Sequence, residues 1–444
     1  MNGQLKPGQT LLADTTKTAC VVEQLLGAGG QGEVYRARLG GPQTEAVALK
    51  WYLPTAATDQ QRAALAELVK IGPPTARFLW PQELVVGADT PGFGYVMPLR
   101  APRFKGIVDL MKRRIEPRFR ALATAGLELS DSYLQLHAKG LCYRDISFGN
   151  VFFDPDSGEV LICDNDNVGV DSGDATARPG VLGTPRFMAP EVVRGETLPS
   201  TQTDLFSLAV LLFYMLVVHH PLEGKRESDI RCLDLPAMTR LYGSDPLFIF
   251  DPADESNRPV PGCHDNALAF WPLYPTFLRA LFTRAFTKGI RDPLHGRVRE
   301  SEWRAAMVRL RDSIVYCHEC AAESFYDADA MRATGHGPIC WSCGVEVQLP
   351  ARIRVGRSVV MLNHDGALFP HHLDDARRYD FSRVAATVTR HPAQPHVWGL
   401  KNLSDEKWVV VGTGTITEVP PGRSVALAMG TRIHFGRVEG EIRV

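Results

Sequence analysis

The stretch richest in potential chemistry is Cys142-Tyr143-Arg144-Asp145-Ile146-Ser147-Phe148-Gly149-Asn150-Val151. It sets a carboxylate, Asp145, and an amide, Asn150, on one short loop. An aspartate so placed can orient an alcohol for in-line attack, and an asparagine can ligate Mg2+. A strand pair follows, Val151–Phe153 and Val160–Cys163, and ends at Asp164-Asn165-Asp166. A carboxylate at such a strand end suits a second Mg2+ contact. Polar turn residues that merely cap strands are the plainer alternative. Upstream lies Gly27-Ala28-Gly29-Gly30-Gln31-Gly32, then Glu33-Val34. Glycines let backbone amides approach phosphate oxygens. The segment after them reads as a returning strand, not the helix a dinucleotide fold requires. Lys50 ends the apolar strand Val47-Ala48-Leu49-Lys50, a suitable place for an ammonium that contacts phosphate. A carboxylate should orient it. Glu67 is the candidate, on the helix before Gly72 and on the same side of it as Ile71.

A second cluster is Cys317-His318-Glu319-Cys320 with Cys340-Trp341-Ser342-Cys343. Two CxxC turns can present four thiolates to one tetrahedral Zn2+. Four thiolates leave no open position for water, so the site reads as structural. His318 and His336 are then bystanders. A knuckle this small cannot bury a core, and metal must supply much of its folding energy.

Several elements must position these groups. Residues 1–98 read as strands separated by Gly-rich turns, with one helix over Thr58–Ile71 that stops at Gly72-Pro73-Pro74. Residues 99–315 are mainly helical, most clearly at Ala121–His137, Leu205–Val218 and Ser301–Tyr316. Residues 316–347 hold the cysteine pairs, and 351–444 show short apolar strands with all-β punctuation.

The whole chain has 444 residues, room for about two to four domains. It balances 49 Lys plus Arg against 50 Asp plus Glu, so bulk charge gives no case for nucleic acid or a membrane surface as partner. The N-terminus lacks the basic-then-apolar layout of a signal peptide. The apolar run Leu205–Val218 falls short of the roughly 20 residues that cross a bilayer. With nine cysteines and no export signal, a reducing, cytoplasmic setting is expected.

Over residues 20–315 the chain resembles the eukaryotic-type (Hanks-type) protein kinases. The glycine loop, Val-Ala-Leu-Lys50, Tyr-Arg-Asp145 with Asn150, and an Asp164 motif occur in the family's order. Gly183-Thr184-Pro185-Arg186-Phe187-Met188-Ala189-Pro190-Glu191 is similar to its substrate-docking segment, and Asp204 opens what resembles its central helix. The resemblance implies an ATP-dependent protein serine/threonine kinase with an α+β, bilobal fold. Gly27–Gly32, Val34 and Ala48 would cover the nucleotide. Met97 would be the gatekeeper, with Leu99 and Arg100 as hinge. Lys50, held by Glu67, would contact the α- and β-phosphates. Asn150 and Asp164 would hold Mg2+, and Asp145 would orient the hydroxyl. Thr184 should hydrogen-bond Asp145, and Arg297 should pair with Glu191. Arg144 either binds a phosphorylated residue of the activation segment, with Ser172 and Thr176 as candidates, or packs structurally.

Three departures stand out. Asn165 replaces the family's Phe, leaving Asp166 as an extra carboxylate that could approach metal. Ser147 replaces a lysine and cannot neutralise a γ-phosphate. Tyr143 replaces the loop His and could keep its packing role. A pseudokinase scaffold and a small-molecule kinase therefore stand as alternatives, although the latter lack the Ala-Pro-Glu segment.

The cysteine module resembles a zinc ribbon. Val397–Ser404, Pro420–Val425 and Gly430–Gly436 resemble the end of a forkhead-associated (FHA-like) sandwich. Kinase, ribbon and FHA-like tail together resemble bacterial kinases of tellurite-resistance-associated (TerY-P) systems. That implies a von Willebrand factor A protein and a metal-dependent protein phosphatase as partners.

Overall fold

The computed structural model describes residues 3–40, 45–87, 90–171, 183–411 and 416–443. The chain forms two compact units, Met1–Phe270 with Leu281–Arg304, and Trp271–Ala280 with Ala305–Val444.

The first unit begins with six antiparallel strands: β1 (Thr10–Ala13), β2 (Ala19–Ala28), β3 (Gly32–Leu39), β4 (Glu45–Tyr52), β5 (Glu83–Val86) and β6 (Phe93–Pro98). They close into a barrel in the order β1-β2-β3-β4-β6-β5. Closure comes from β1, which pairs with both β2 and β5 and so leaves neither strand as a free edge. Leu11, Val22, Tyr35, Leu49, Trp51 and Val96 fill the interior. Helix α1 (Asp59–Ile71) starts where the Thr58 side chain accepts from the Gln61 amide, and ends at Gly72, whose φ is 69°.

The rest of this unit is mainly helical. The long helix Phe119–Ala138 and the helix Thr201–Val217 pack together. The second is buried from Thr203 to Val217, which accounts for its unbroken apolar run without a membrane. No helix among the described residues is long and apolar enough to cross one.

In the second unit, Ile314–Tyr316 pairs with Glu323–Phe325, and the cysteine module continues from this hairpin. Beyond it lie two antiparallel sheets, one of six strands and one of four. They bury a common core that includes Ile353, Leu368, Val388, Leu400, Trp408 and Ile442. The short strands expected after residue 351 are present, interrupted by the helical turns Pro370–Leu373 and Asp375–Arg377. Trp408 is fully buried in that core, while Trp398 is only partly buried, packed against it.

Candidate active site

The glycine segment is the turn of the β2–β3 hairpin, with Gly27 opposite Val34 and Ala28 opposite Glu33. The Gly29 amide donates to the Gly32 carbonyl at 2.8 Å. At Gly32 a Cβ would sit 2.4 Å from the Trp51 carbonyl oxygen, so backbone packing demands glycine there. At Gly27 and Gly30 a Cβ would meet nothing within 4 Å, so the protein's own packing does not require glycine at either. Gln31 reaches across to Asn167, Nε2 to Oδ1 at 3.4 Å.

Beneath the hairpin, Ala48 and Met97 are register partners on β4 and β6. They share one apolar cluster, against which Val34, Leu99, Leu161 and Cys163 pack. The four residues expected around an adenine, Val34, Ala48, Met97 and Leu99, are therefore brought together. Leu161, which sequence reasoning did not single out, packs against the same cluster. Its signal was the apolar strand Val160–Ile162 leading to Asp164.

The loop that carries Asp145 and Asn150 is tied down at both ends. Asp204, at the start of Thr201–Val217, accepts from the backbone amides of Tyr143 at 2.5 Å and Arg144 at 3.1 Å. Arg144 is thereby held at a φ of 72°, a left-handed conformation that costs free energy outside glycine. His137 bridges Asp204 and Glu300. Tyr143 is fully buried, packs edge-on against Tyr133 and donates its hydroxyl to the Cys163 carbonyl. The Cys163 amide donates to the Asn150 carbonyl at 2.8 Å, which fastens the strand before Asp164 to the end of the loop.

Asp145 accepts from Thr184 Oγ1 at 2.8 Å through Oδ1, and from Asn150 Nδ2 at 3.2 Å through Oδ2. Asn150 Nδ2 also donates to the Asp145 carbonyl at 2.9 Å. With its amide hydrogens used in this way, Oδ1 is the atom Asn150 has to offer a cation. Asp164 has a φ of 50° and a half-exposed carboxylate. Asn150 and Asp164 are oxygen donors of the kind Mg2+ takes, so the donor set fits that ion. Burial pushes the Asp145 carboxyl above its ordinary range. The bonds from Thr184 and Asn150 pull it partly back, and the nearby charge of Asp164 raises it again.

Lys50 departs from the expectation. Glu67 does not hold it. Glu67 is exposed on α1 and pairs with Lys70 at 2.6 Å. Glu67 and Ile71 do share a side of the helix, but it is the solvent side, since Ile71 is 39% exposed and the buried residues are Leu65 and Leu68. Lys50 Nζ instead lies 2.8 Å and 2.9 Å from the two carboxylate oxygens of Asp166, and 3.4 Å from Asp164. Asp166, expected as an extra carboxylate near metal, is fully buried with both oxygens turned to Lys50. It also accepts from the hydroxyls of Tyr52 at 2.5 Å and Tyr95 at 3.1 Å. Burial works against both charges, yet their attraction prevails: Lys50 is shifted up and Asp166 down. Asn165 fills its slot by hydrogen bonding, with Nδ2 donating to the carbonyls of Leu79 and Ile162, both at 2.9 Å.

Around the segment Gly183–Glu191, Arg297 Nη2 lies 2.5 Å from Glu191 Oε1 in a buried pair. Phe187 packs between Phe148 of the loop and Tyr214. Ser147 is buried. Arg144 reaches the Val170 carbonyl at 3.4 Å. Ser172 and Thr176 lie outside the described residues.

In the second unit, the sulfurs of Cys317, Cys320, Cys340 and Cys343 all lie within 4.8 Å of one another. The closest pairs, Cys317 with Cys343 and Cys320 with Cys340, are 3.5 Å apart. A tetrahedral zinc with bonds of about 2.3 Å would set its sulfurs about 3.8 Å apart, so the donors fit. The two turns are built alike. The Cys317 amide donates to the Ala322 carbonyl and the Cys340 amide to that of Val345. Each turn closes on a left-handed residue, Ala321 at 59° and Gly344 at 75°.

Residues 110–260 match the protein kinase domain family. The chain is 30% identical to serine/threonine-protein kinase PknK of Mycobacterium tuberculosis over 206 residues, 45% of this chain and 18% of that protein. It is 34% identical to protein kinase C eta type of Homo sapiens over 105 residues, 23% of this chain and 15% of that protein. It is 28% identical to cell cycle serine/threonine-protein kinase CDC5/MSD2 of Saccharomyces cerevisiae over 128 residues, 28% of this chain and 18% of that protein. The chain thus covers less than one fifth of each of these relatives. Within that span it is similar to serine/threonine protein kinases.

Proposed function

We propose that this chain is an ATP-dependent protein serine/threonine kinase, acting on itself and on a partner protein. The observation that carries the reading is Asp145, held by Thr184 of the docking segment on one oxygen and by Asn150 on the other. One contact comes from the element expected to receive the acceptor peptide, the other from an expected metal ligand. In the proposed reaction the acceptor hydroxyl oxygen forms a bond to the γ-phosphorus as the bond from that phosphorus to the β,γ-bridging oxygen breaks. ADP leaves, and the hydroxyl proton passes to Asp145. Lys50 contacts the α- and β-phosphates, and Gly27–Gly32 cover them. Asn150 and Asp164 hold Mg2+, which when bound neutralises phosphate charge. Val34, Ala48, Met97, Leu99 and Leu161 enclose the adenine.

The same reading extends to the second unit. The four cysteines form a structural zinc ribbon. The two-sheet domain is FHA-like and serves as a protein-contact surface. The organisation supports a cytoplasmic kinase that works with a von Willebrand factor A protein and a metal-dependent protein phosphatase. The test is incubation with labelled ATP and Mg2+, with and without those partners and a panel of small alcohols, followed by phosphosite mapping. Label on serine or threonine of protein supports the reading. Label confined to a small alcohol overturns it.

A further inference from the structure

The expected helix carboxylate is absent from the lysine. Among the residues of α1, only Asp59 and Glu67 are acidic, and both are exposed. The inward face of α1 offers Gln61, Leu65 and Leu68, following helical spacing. Gln61 Nε2 donates to the Tyr52 hydroxyl at 3.2 Å and to the Asp166 carbonyl at 3.4 Å, both neutral acceptors. A buried ammonium without a counter-charge is strongly disfavoured. The structure supplies that charge chiefly from the residue two positions beyond Asp164, with both oxygens of Asp166 facing Lys50 and one oxygen of Asp164 at 3.4 Å. The tyrosine hydroxyls of β4 and β6 then fix the carboxylate's rotation from the other side.

We propose that Asp166 is the positioning residue for Lys50, in the place sequence reasoning gave to a glutamate of α1. The proposal rests on the kinase reading for its kinetic consequence, not for its geometry. Lys50 and its counter-charge lie on β4 and on the segment directly after Asp164. The lysine is therefore set by the segment that also carries a metal-site carboxylate, and no charge on α1 is needed to hold it. Outward movement of α1 would cost the neutral contacts of Gln61 and leave the ion pair intact.

The test uses the full-length chain in three forms: wild type, Asp166→Asn and Glu67→Gln. The first readout is acylation of each lysine by an amine-reactive ester, followed by mass spectrometry. Asp166→Asn removes the nearer of the two carboxylates around Lys50, leaving Asp164 at 3.4 Å, and so loosens the hold that keeps the amine from the reagent. Acylation of Lys50 should rise about tenfold in Asp166→Asn, with the other lysines unchanged. In Glu67→Gln only Lys70 should change. The second readout is steady-state phosphotransfer. Asp166→Asn should lower kcat about a hundredfold, the scale of a misplaced catalytic group, with KM for ATP changed less than threefold. Glu67→Gln should match wild type.

If Asp166→Asn does not fold, Asp166→Glu keeps the charge and moves it by one methylene. It should lower kcat at least tenfold, while Glu67→Asp leaves it unchanged. Unchanged Lys50 acylation in Asp166→Asn, or a rise in Glu67→Gln, overturns the proposal. A wild type that transfers no phosphate removes the kinase reading, and the acylation contrast still decides the role of Asp166.

Discussion

Thr184 Oγ1 donates to Asp145 Oδ1 at 2.8 Å, joining the segment Gly183–Glu191 to the loop Tyr143–Asn150 across 39 positions of sequence. The bond both orients the carboxylate and opposes the upward push that burial gives its pKa. Thr184→Val should lower kcat roughly ten- to hundredfold, the worth of one hydrogen bond to a charged group. KM for ATP should stay within twofold, because Thr184 touches the base and not the nucleotide site. Thr184→Ser should retain most activity. Steady-state kinetics with ATP and a protein acceptor checks all three.

The Glu191–Arg297 pair is buried on both sides, with side chains 9% and 2% exposed. Truncating one partner strands the other as an uncompensated buried charge. Arg297→Ala should therefore cost about 3–5 kcal/mol of stability. Equilibrium denaturation followed by tryptophan fluorescence measures it. A loss under 1 kcal/mol would mean that water reaches the stranded carboxylate.

His137 gives a pH signature. Burial alone would lower its pKa, but bonds and charges from Asp204 and Glu300 raise it to about 9. The folded value lies above the unfolded one of about 6.5. The charged His137 therefore stabilises fully below about pH 6.5, and the effect is lost as pH rises through about 9. His137→Gln should be less stable than wild type by about 3 kcal/mol at pH 6 and nearly equal to it at pH 10. Melting curves across that range test the crossover, and a gap independent of pH would refute the charge argument.

The cysteine cluster predicts about one zinc per chain. A strong chelator should strip it and raise amide exchange across residues 314–347, while the strands β1–β6 keep their protection. Cys320→Ser should do the same without chelator. Elemental analysis and hydrogen exchange check both, and freshly purified protein free of zinc would remove the ribbon.

The candidate residues were legible because such chemistry fixes residue types at short spacing. Asp145 and Asn150 share one loop and are bonded directly, Lys50 lies 3.4 Å from Asp164, and the glycines form the β2–β3 turn. The Thr184 and Arg297 contacts were reachable only through the resemblance, since 39 and 106 positions separate the partners. The partner of Lys50 was not legible. Sequence spacing placed Glu67 beside Ile71 correctly, but it did not say which side of α1 faces the barrel. That side is set by Leu65 and Leu68, and it carries Gln61. Asp166 gains its role from Tyr52 and Tyr95, which lie 114 and 71 positions away. Barrel closure by β1 was equally hidden, because strand pairing between Leu12 and Val86 leaves no local trace. In the two-sheet domain the strands could be read from their texture, but not the pairing of Arg352 with Arg443 that brings its ends together.

The most direct measurement compares γ-phosphoryl transfer to protein by wild type and by Asp145→Asn, at saturating Mg2+ and ATP, with nucleotide binding measured on the same samples. Transfer should fall at least a thousandfold in Asp145→Asn while nucleotide affinity stays within a few-fold, since removal of a general base of this kind costs on that order. Equal transfer by the two proteins, or none by either, would contradict the assignment of Asp145 as the group that orients the attacking hydroxyl.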